Sequence, residues 1–145
     1  MRQSERFLLI VRHGEAEHMV GEDPLTGGWT DTELTPLGRE QARLTGLAIA
    51  GHGLPEPYSF WTSDLLRARQ TADLIGLSLG RTATPDAALR EFNNGSAAGM
   101  RRSGADLLKA PIEGSVGAWR PYPGSENWHE FMSRVNAFMD AHLAV

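Results

Sequence analysis

Cysteine is missing from all 145 positions, which excludes disulfides, thiolate nucleophiles and cysteine-based metal sites. An excess of positive charge is missing too: 14 Lys and Arg stand against 18 Asp and Glu, a formal net charge of -4. That balance argues against nucleic acid or an anionic membrane as the main partner. There is no long hydrophobic run. Met1–Arg6 is polar, and the apolar stretch Phe7-Leu8-Leu9-Ile10-Val11 holds only five residues. A secretory signal needs an apolar core of about 7–15 residues and a membrane helix about 18 or more. Neither export nor membrane insertion is therefore expected, and a cytoplasmic location is. Repeats, low-complexity tracts and linkers are not visible, so one domain over residues 1–145 is expected, within the usual range of about 100–200 residues.

What is present reads as alternating strands and helices. Phe7–Val11 is rich in β-formers and bounded by charge, the pattern of a fully buried strand in a parallel sheet. Residues 12–33 mix Gly, Asp, Thr and Pro24 with little periodicity, as expected of a long functional loop. Thr35-Pro36 pairs an N-cap residue with proline at the first helical position. Leu37, Leu44, Leu47 and Ala48 then share one helical face, and Gly51 or Gly53 ends it. Tyr58–Thr62 reads as a second strand and Thr82–Pro85 as a third. Between them, Ser63 or Asp64 caps a helix with Leu65, Ala68, Ala72 and Ile75 at helical spacing. Arg101–Lys109 is a short helix with loops on either side. Ser125 caps a last helix, in which Trp128, Phe131, Met132, Val135, Phe138, Met139 and Leu143 follow the spacing of a buried face. This order implies an α/β three-layer sandwich, a mostly parallel central sheet with helices on both faces.

Two segments carry chemistry. Arg12-His13-Gly14-Glu15 follows the first strand, and ligands in open α/β sheets sit beyond the carboxyl ends of the strands. An imidazole there can attack phosphorus and form a covalent intermediate, although an isolated histidine at a strand end more often makes ordinary hydrogen bonds. Thr62-Ser63-Asp64-Leu65-Leu66-Arg67-Ala68-Arg69-Gln70-Thr71-Ala72 follows another strand and puts Arg67 in the first turn of a helix. Helix N-termini favour anions, and the guanidinium fork matches phosphate oxygens. The plainer alternative, that Arg67 and Arg69 are solvated charges, is kept for Arg69.

Together these segments resemble the signature of the histidine phosphatase superfamily, also called phosphoglycerate-mutase-like: an RHGE strand end followed by an S-D-x-x-R-A-x-x-T-A helix start. Gly28-Trp29-Thr30-Asp31, Leu34-Thr35-Pro36-Leu37-Gly38 and Gln41-Ala42 extend the likeness. So do Leu89-Arg90-Glu91, Pro123-Gly124-Ser125-Glu126 and Arg134-Val135. The resemblance implies two-step phosphoryl transfer without metal or cofactor. His13 would be the nucleophile, Arg12 and Arg67 would bind the phosphoryl oxygens, and Glu91 would be the acid and base. Thr26 and Gly27 would belong to a substrate loop. Outside the resemblance, Glu91 would read as an ordinary surface or capping carboxylate. The implied ligand is a small phosphorylated metabolite, or a phosphate or sulfate ion.

The chain also departs from that pattern. The family has a second catalytic histidine in an apolar strand ending in His-Gly near the C-terminus. His52, His129 and His142 lack that context, and His18 lies five residues from His13, a poor spacing for a helical ligand pair. Loss of one donor to a transferring phosphoryl group typically costs about 10²–10³-fold in rate. A missing strand would also leave an edge that invites pairing with another chain. The C-terminal part of the family fold is thus expected to be absent, leaving a fragment, a short member, or a site completed by a partner such as a second copy. Met19 stands where many members have Asn, and Gly95-Ser96-Ala97-Ala98-Gly99 lacks a usual carboxylate. Arg101 and Arg102 read mainly as solvated charges, with contact to an acidic substrate group the alternative. Three functions stay open: a phosphomonoesterase, a phosphoglycerate-mutase-like transferase, and a catalytically weak phosphate-binding module.

Overall fold

The computed structural model describes residues 7–143. Four α-helices and two short strands order themselves as α1 (Pro36–His52), β1 (Trp61–Thr62), α2 (Leu66–Leu79), β2 (Thr84–Pro85), α3 (Arg102–Leu108) and α4 (Trp128–Leu143). Short 3-10 turns lie at Glu17–Met19, Ala87–Leu89 and Gly95–Ala97. β1 and β2 pair in parallel, Trp61 opposite Thr84 and Thr62 opposite Pro85. Side chains alternate along a strand, and the layers follow from that. Phe60, just before β1, lies against Gly76 of α2, while the Trp61 ring meets Phe138 of α4 edge-on, with centroids 5.4 Å apart. Helices therefore cover opposite sides of the strand, giving the α/β layering. The indole Nε1 of Trp61 is buried without a hydrogen-bond partner.

The α1–α2 seam is built from small residues. Gly38, Ala42 and Gly46 are the buried positions of α1; Gly38 packs on the Glu15 backbone, and Gly46 meets Ile75 and Ser78 of α2. A Cβ on Gly46 would lie 2.9 Å from the Ile75 Cα, so the backbones approach as closely as glycine permits. This corrects the sequence reading of α1. Leu37, Leu44 and Leu47 do share a face, but each stays about half exposed, because close approach of the two helices selects the small face.

Helix ends also differ from expectation. Thr35 caps α1, its Oγ1 accepting from the Gly38 N–H, and Gly53 closes the helix at φ 76°. The first residue of α2, Leu66, gives its N–H to Asp31 Oδ1 at 2.6 Å. A loop residue distant in sequence thus takes the place expected of Ser63 or Asp64. Asn127, not Ser125, caps α4: Asn127 Oδ1 accepts from the Glu130 N–H while Glu130 Oε2 accepts from the Asn127 N–H. This is a reciprocal capping box. Ser125 is instead buried and takes the Tyr122 N–H on its hydroxyl. On α4, Phe138 is buried, Phe131, Val135 and Met139 are half-buried, and Trp128 and Met132 stay largely open. The side chain of Leu143 lies outside the described residues.

The largest departure is Phe7–Val11. This run forms no strand and every residue in it is exposed, Ile10 by 81%. An apolar run becomes a strand only when neighbours take up its backbone N–H and C=O groups. No described strand pairs with this one.

Candidate active site

The loop after residue 11 hangs from both helices of the seam. The Gly14 N–H donates to Thr71 Oγ1 on α2 at 3.1 Å, and the Glu15 N–H donates to Gln41 Oε1 on α1 at 2.9 Å. Thr71 Oγ1 in turn donates to the Arg67 carbonyl, so the four-residue spacing of Arg67 and Thr71 puts both on the helix face that meets the loop. Thr35 Oγ1 donates to Glu15 Oε1 at 2.7 Å. A Cβ on Gly14 would lie 2.3 Å from the Gly38 carbonyl oxygen, and one on Gly38 would lie 1.9 Å from that of Glu15. Both positions require glycine.

The loop presents His13 in one tautomer. Its Nδ1–H donates to the Gly14 carbonyl at 2.7 Å, and its Nε2 accepts from Arg67 Nε at 3.1 Å. A ring nitrogen that accepts from a guanidinium bears its lone pair. Burial lowers the His13 pKa; the bond to Gly14 acts the other way, and the Arg67 and Arg12 charges add to the lowering. Burial and the two guanidinium charges thus favour the neutral ring, and the bond from Arg67 falls on the Nε2 lone pair.

Arg67, 1% exposed, is the hub. Besides His13 it donates Nη1 to the Thr30 carbonyl at 2.7 Å, and Nη2 to the Gly28 carbonyl and to Glu91 Oε2, both at 2.8 Å. Gly28, at φ 70°, packs against Phe92 and Asn94 with no room for a Cβ. Glu91 sits at the mouth of the site with its side chain 53% exposed. Arg12 is exposed, and its charge reaches both His13 and His18.

The segment that presents Glu91 is clamped from three directions. Arg90 forms a two-pronged pair with Asp64, at 2.7 and 2.6 Å, and lies over the Trp29 ring. The Trp29 Nε1–H donates to the Glu91 carbonyl at 2.9 Å. From α4, Arg134 Nη1 donates to the carbonyls of Ala88 and Arg90, and its Nε and Nη2 grip Glu126, each at 2.9 Å. Glu126 Oε2 also takes the Asn93 N–H. The late Gly-Ser-Glu and Arg-Val motifs thus belong to the support of Glu91.

Of the residues singled out from the sequence, His13, Arg67, Glu91 and Gly27 converge, and Arg12 flanks them. Thr26 is tied by its backbone to Gly99 and Met100. Arg69 and Arg102 are exposed, and Arg101 reaches the Asp23 carbonyl. His142 packs on Trp61 and Phe138, and His129 lies over Gly117. His52 is on the last turn of α1. One histidine was underrated. His18 is buried, its ring centroid is 6.3 Å from that of His13, and its Nδ1 shares a 2.7 Å hydrogen bond with Thr32 Oγ1. The 3-10 turn over Glu17–Met19 swings it inward, which spacing rules for regular helices do not anticipate. Among the described residues no group of three or more His, Asp or Glu side chains converges as a metal-ligand set. No helix there is long and apolar enough to cross a membrane.

An imidazole, a buried guanidinium and a carboxylate are thus joined by direct hydrogen bonds beside the first turn of α2, within an α/β layering. The chain belongs to the histidine phosphatase superfamily (branch 1), whose family model matches residues 8–144. It is 37% identical over 140 residues to a 2,3-bisphosphoglycerate-dependent phosphoglycerate mutase of Nitrobacter hamburgensis, and 34% identical to that of Nitrobacter winogradskyi. These alignments take in 91% of this chain and 65% of each relative, so the chain spans about two thirds of their length. Among solved structures, it resembles a mycobacterial glucosyl-3-phosphoglycerate phosphatase in complex with VO3 (TM-score 0.72, 27% identity, 91% of this chain and 64% of that one). It also resembles a phosphoglycerate mutase from Thermus thermophilus (TM-score 0.60, 30% identity, 89% and 68%).

Proposed function

We propose that this chain carries the phosphoryl-transfer centre of a metal-independent phosphomonoesterase that acts on a small phosphorylated metabolite through phosphohistidine at His13. The observation that carries this reading is the pair of hydrogen bonds on His13. Gly14 holds Nδ1–H, and Nε2 points its lone pair at the Arg67 guanidinium. A phosphoryl group entering between them takes over the Arg67 N–H, with Arg12 at its outer side, and meets the Nε2 lone pair. In the first step Nε2 bonds to phosphorus as the ester P–O bond breaks, and Glu91 gives the departing oxygen its proton. In the second, Glu91 takes a proton from water, whose oxygen attacks phosphorus and releases orthophosphate from Nε2. The fixed guanidinium charges stabilise the transferring group in both steps.

The test is hydrolysis of p-nitrophenyl phosphate by the chain and by His13→Ala, with acid-labile phosphate sought on His13. Vanadate is expected to inhibit and EDTA to have no effect. Hydrolysis that survives His13→Ala overturns the proposal. The mutase names of the relatives favour a second reading, transfer between the positions of a phosphoglycerate, and conversion of 3- to 2-phosphoglycerate separates the two. Orthophosphate binding without turnover by either assay identifies a phosphate-binding module.

A further inference from the structure

We propose that His18 Nε2 contacts the bound phosphomonoester, reaching it beside Glu91 through the gap that Gly27 leaves open; this rests on the phosphatase reading of the same site. The geometry sets a space between two polar side chains. A Cβ added to Gly27 would lie 3.3 Å from His18 Nε2 and 3.8 Å from Glu91 Oε2, so glycine keeps free a position that both groups face. Glu91 Oε2 is bonded to Arg67, and Arg67 to His13 Nε2. The gap therefore adjoins the nucleophile through one continuous run of hydrogen bonds. At 6.3 Å between ring centroids, the two imidazoles are too far apart to bond each other, and the Arg67 charge acts on both.

His18 is only 6% exposed, and its ring is anchored at Nδ1 by Thr32. The contact requires the tautomer in which the Thr32 hydroxyl donates to Nδ1, so that the single proton of the neutral ring stands on Nε2, which faces the position left open at Gly27. The electrostatics agree. Burial lowers the His18 pKa to about 4, and Arg67, His13 and Arg12 act in the same direction against the opposing Glu91. A neutral N–H donor among cations suits an incoming anion, since it adds a hydrogen bond without repelling the guanidinium groups that bring the anion in.

The experiment uses the full chain with orthophosphate as probe. Calorimetry gives its affinity for wild type, His18→Gln and His18→Ala, and long-range ¹H–¹⁵N spectra follow the His18 ring nitrogens during titration. Glutamine keeps an N–H donor at similar reach. His18→Ala is expected to weaken orthophosphate about 10- to 100-fold, the ordinary worth of a hydrogen bond to a charged group, and His18→Gln to restore most of that. In wild type, the His18 Nε2 resonance is expected to move on saturation, a readout independent of whether the alanine variant folds. Unchanged affinity in a folded His18→Ala, or unmoved His18 nitrogens at saturating orthophosphate, overturns this inference and leaves the His13 chemistry standing. Wild type that fails to bind orthophosphate, or hydrolysis that is indifferent to His13→Ala, overturns both together.

Discussion

Replacing Arg134 with methionine tests whether α4 serves the site by holding Glu91. Arg134 carries bonds at 2.8 and 3.0 Å to the Ala88 and Arg90 carbonyls and two at 2.9 Å to Glu126, with side chains only 19% and 14% exposed. Methionine fills similar space but leaves Glu126 with only the Asn93 N–H and deprives the Ala88 and Arg90 carbonyls of the guanidinium. Removing one member of a fully buried pair costs about 3–5 kcal/mol. Partial solvent access reduces that here, so about 2–3 kcal/mol is expected. Thermal unfolding at neutral pH is the assay, and at about 2–4 °C per kcal/mol for chains of this size the midpoint falls by about 5–10 °C. Combining Arg134→Met with Glu126→Gln is expected to cost less than the sum of the two, by about 1 kcal/mol, because the two act as one unit. Burial pushes the Glu126 carboxyl up, but its bonds from Arg134 and the Asn93 N–H outweigh this and leave it below its usual 4.5. The contribution of the pair is therefore full above pH 4.5 and fades as pH falls below it. A loss under about 0.5 kcal/mol, within the range of ordinary surface changes, or strict additivity refutes the reasoning.

Two further perturbations follow from the geometry. Gly38→Ala drives a Cβ into the Glu15 carbonyl and is expected to cost about 3 kcal/mol or more. Gly51→Ala, on the same helix with open space around it, is expected to stabilise by about 0.5–1 kcal/mol; chemical denaturation of both variants checks the contrast. For His18, the folded pKa of about 4 lies below the ordinary 6.5, so the folded state binds fewer protons than the unfolded one between those values. Its contribution is complete above pH 6.5 and is lost as pH falls towards 4, by up to about 3 kcal/mol. Urea midpoints of wild type and His18→Gln across that range are expected to converge on acidification, and parallel curves refute the assignment.

How much of this was legible in the sequence depended on the range of the forces involved. Thr35-Pro36 announced the start of α1 because capping is settled within four residues, and Arg67 was placed correctly in the first turn of α2 by the same local logic. The convergence of His13, Arg67 and Glu91 came from a resemblance that carries tertiary information no single window holds. Where partners come from afar, local reading failed. Asp31 caps α2 from a loop, and the small face of α1 is chosen by α2. Phe7–Val11 has the composition of a buried strand, yet composition supplies no neighbour to pair with. Spacing alone sets His18 aside, because only the folded loop turns it towards His13.

The glycine and alanine seam between α1 and α2 does more than join two helices. Because Gly14 is tethered to one of them and Glu15 to the other, the separation of the helix axes sets where the imidazole stands relative to Arg67. One methyl group added at Gly46 would act as a spacer, widening the seam and retuning the alignment of the His13 ring from a position that touches none of His13, Arg67 and Glu91.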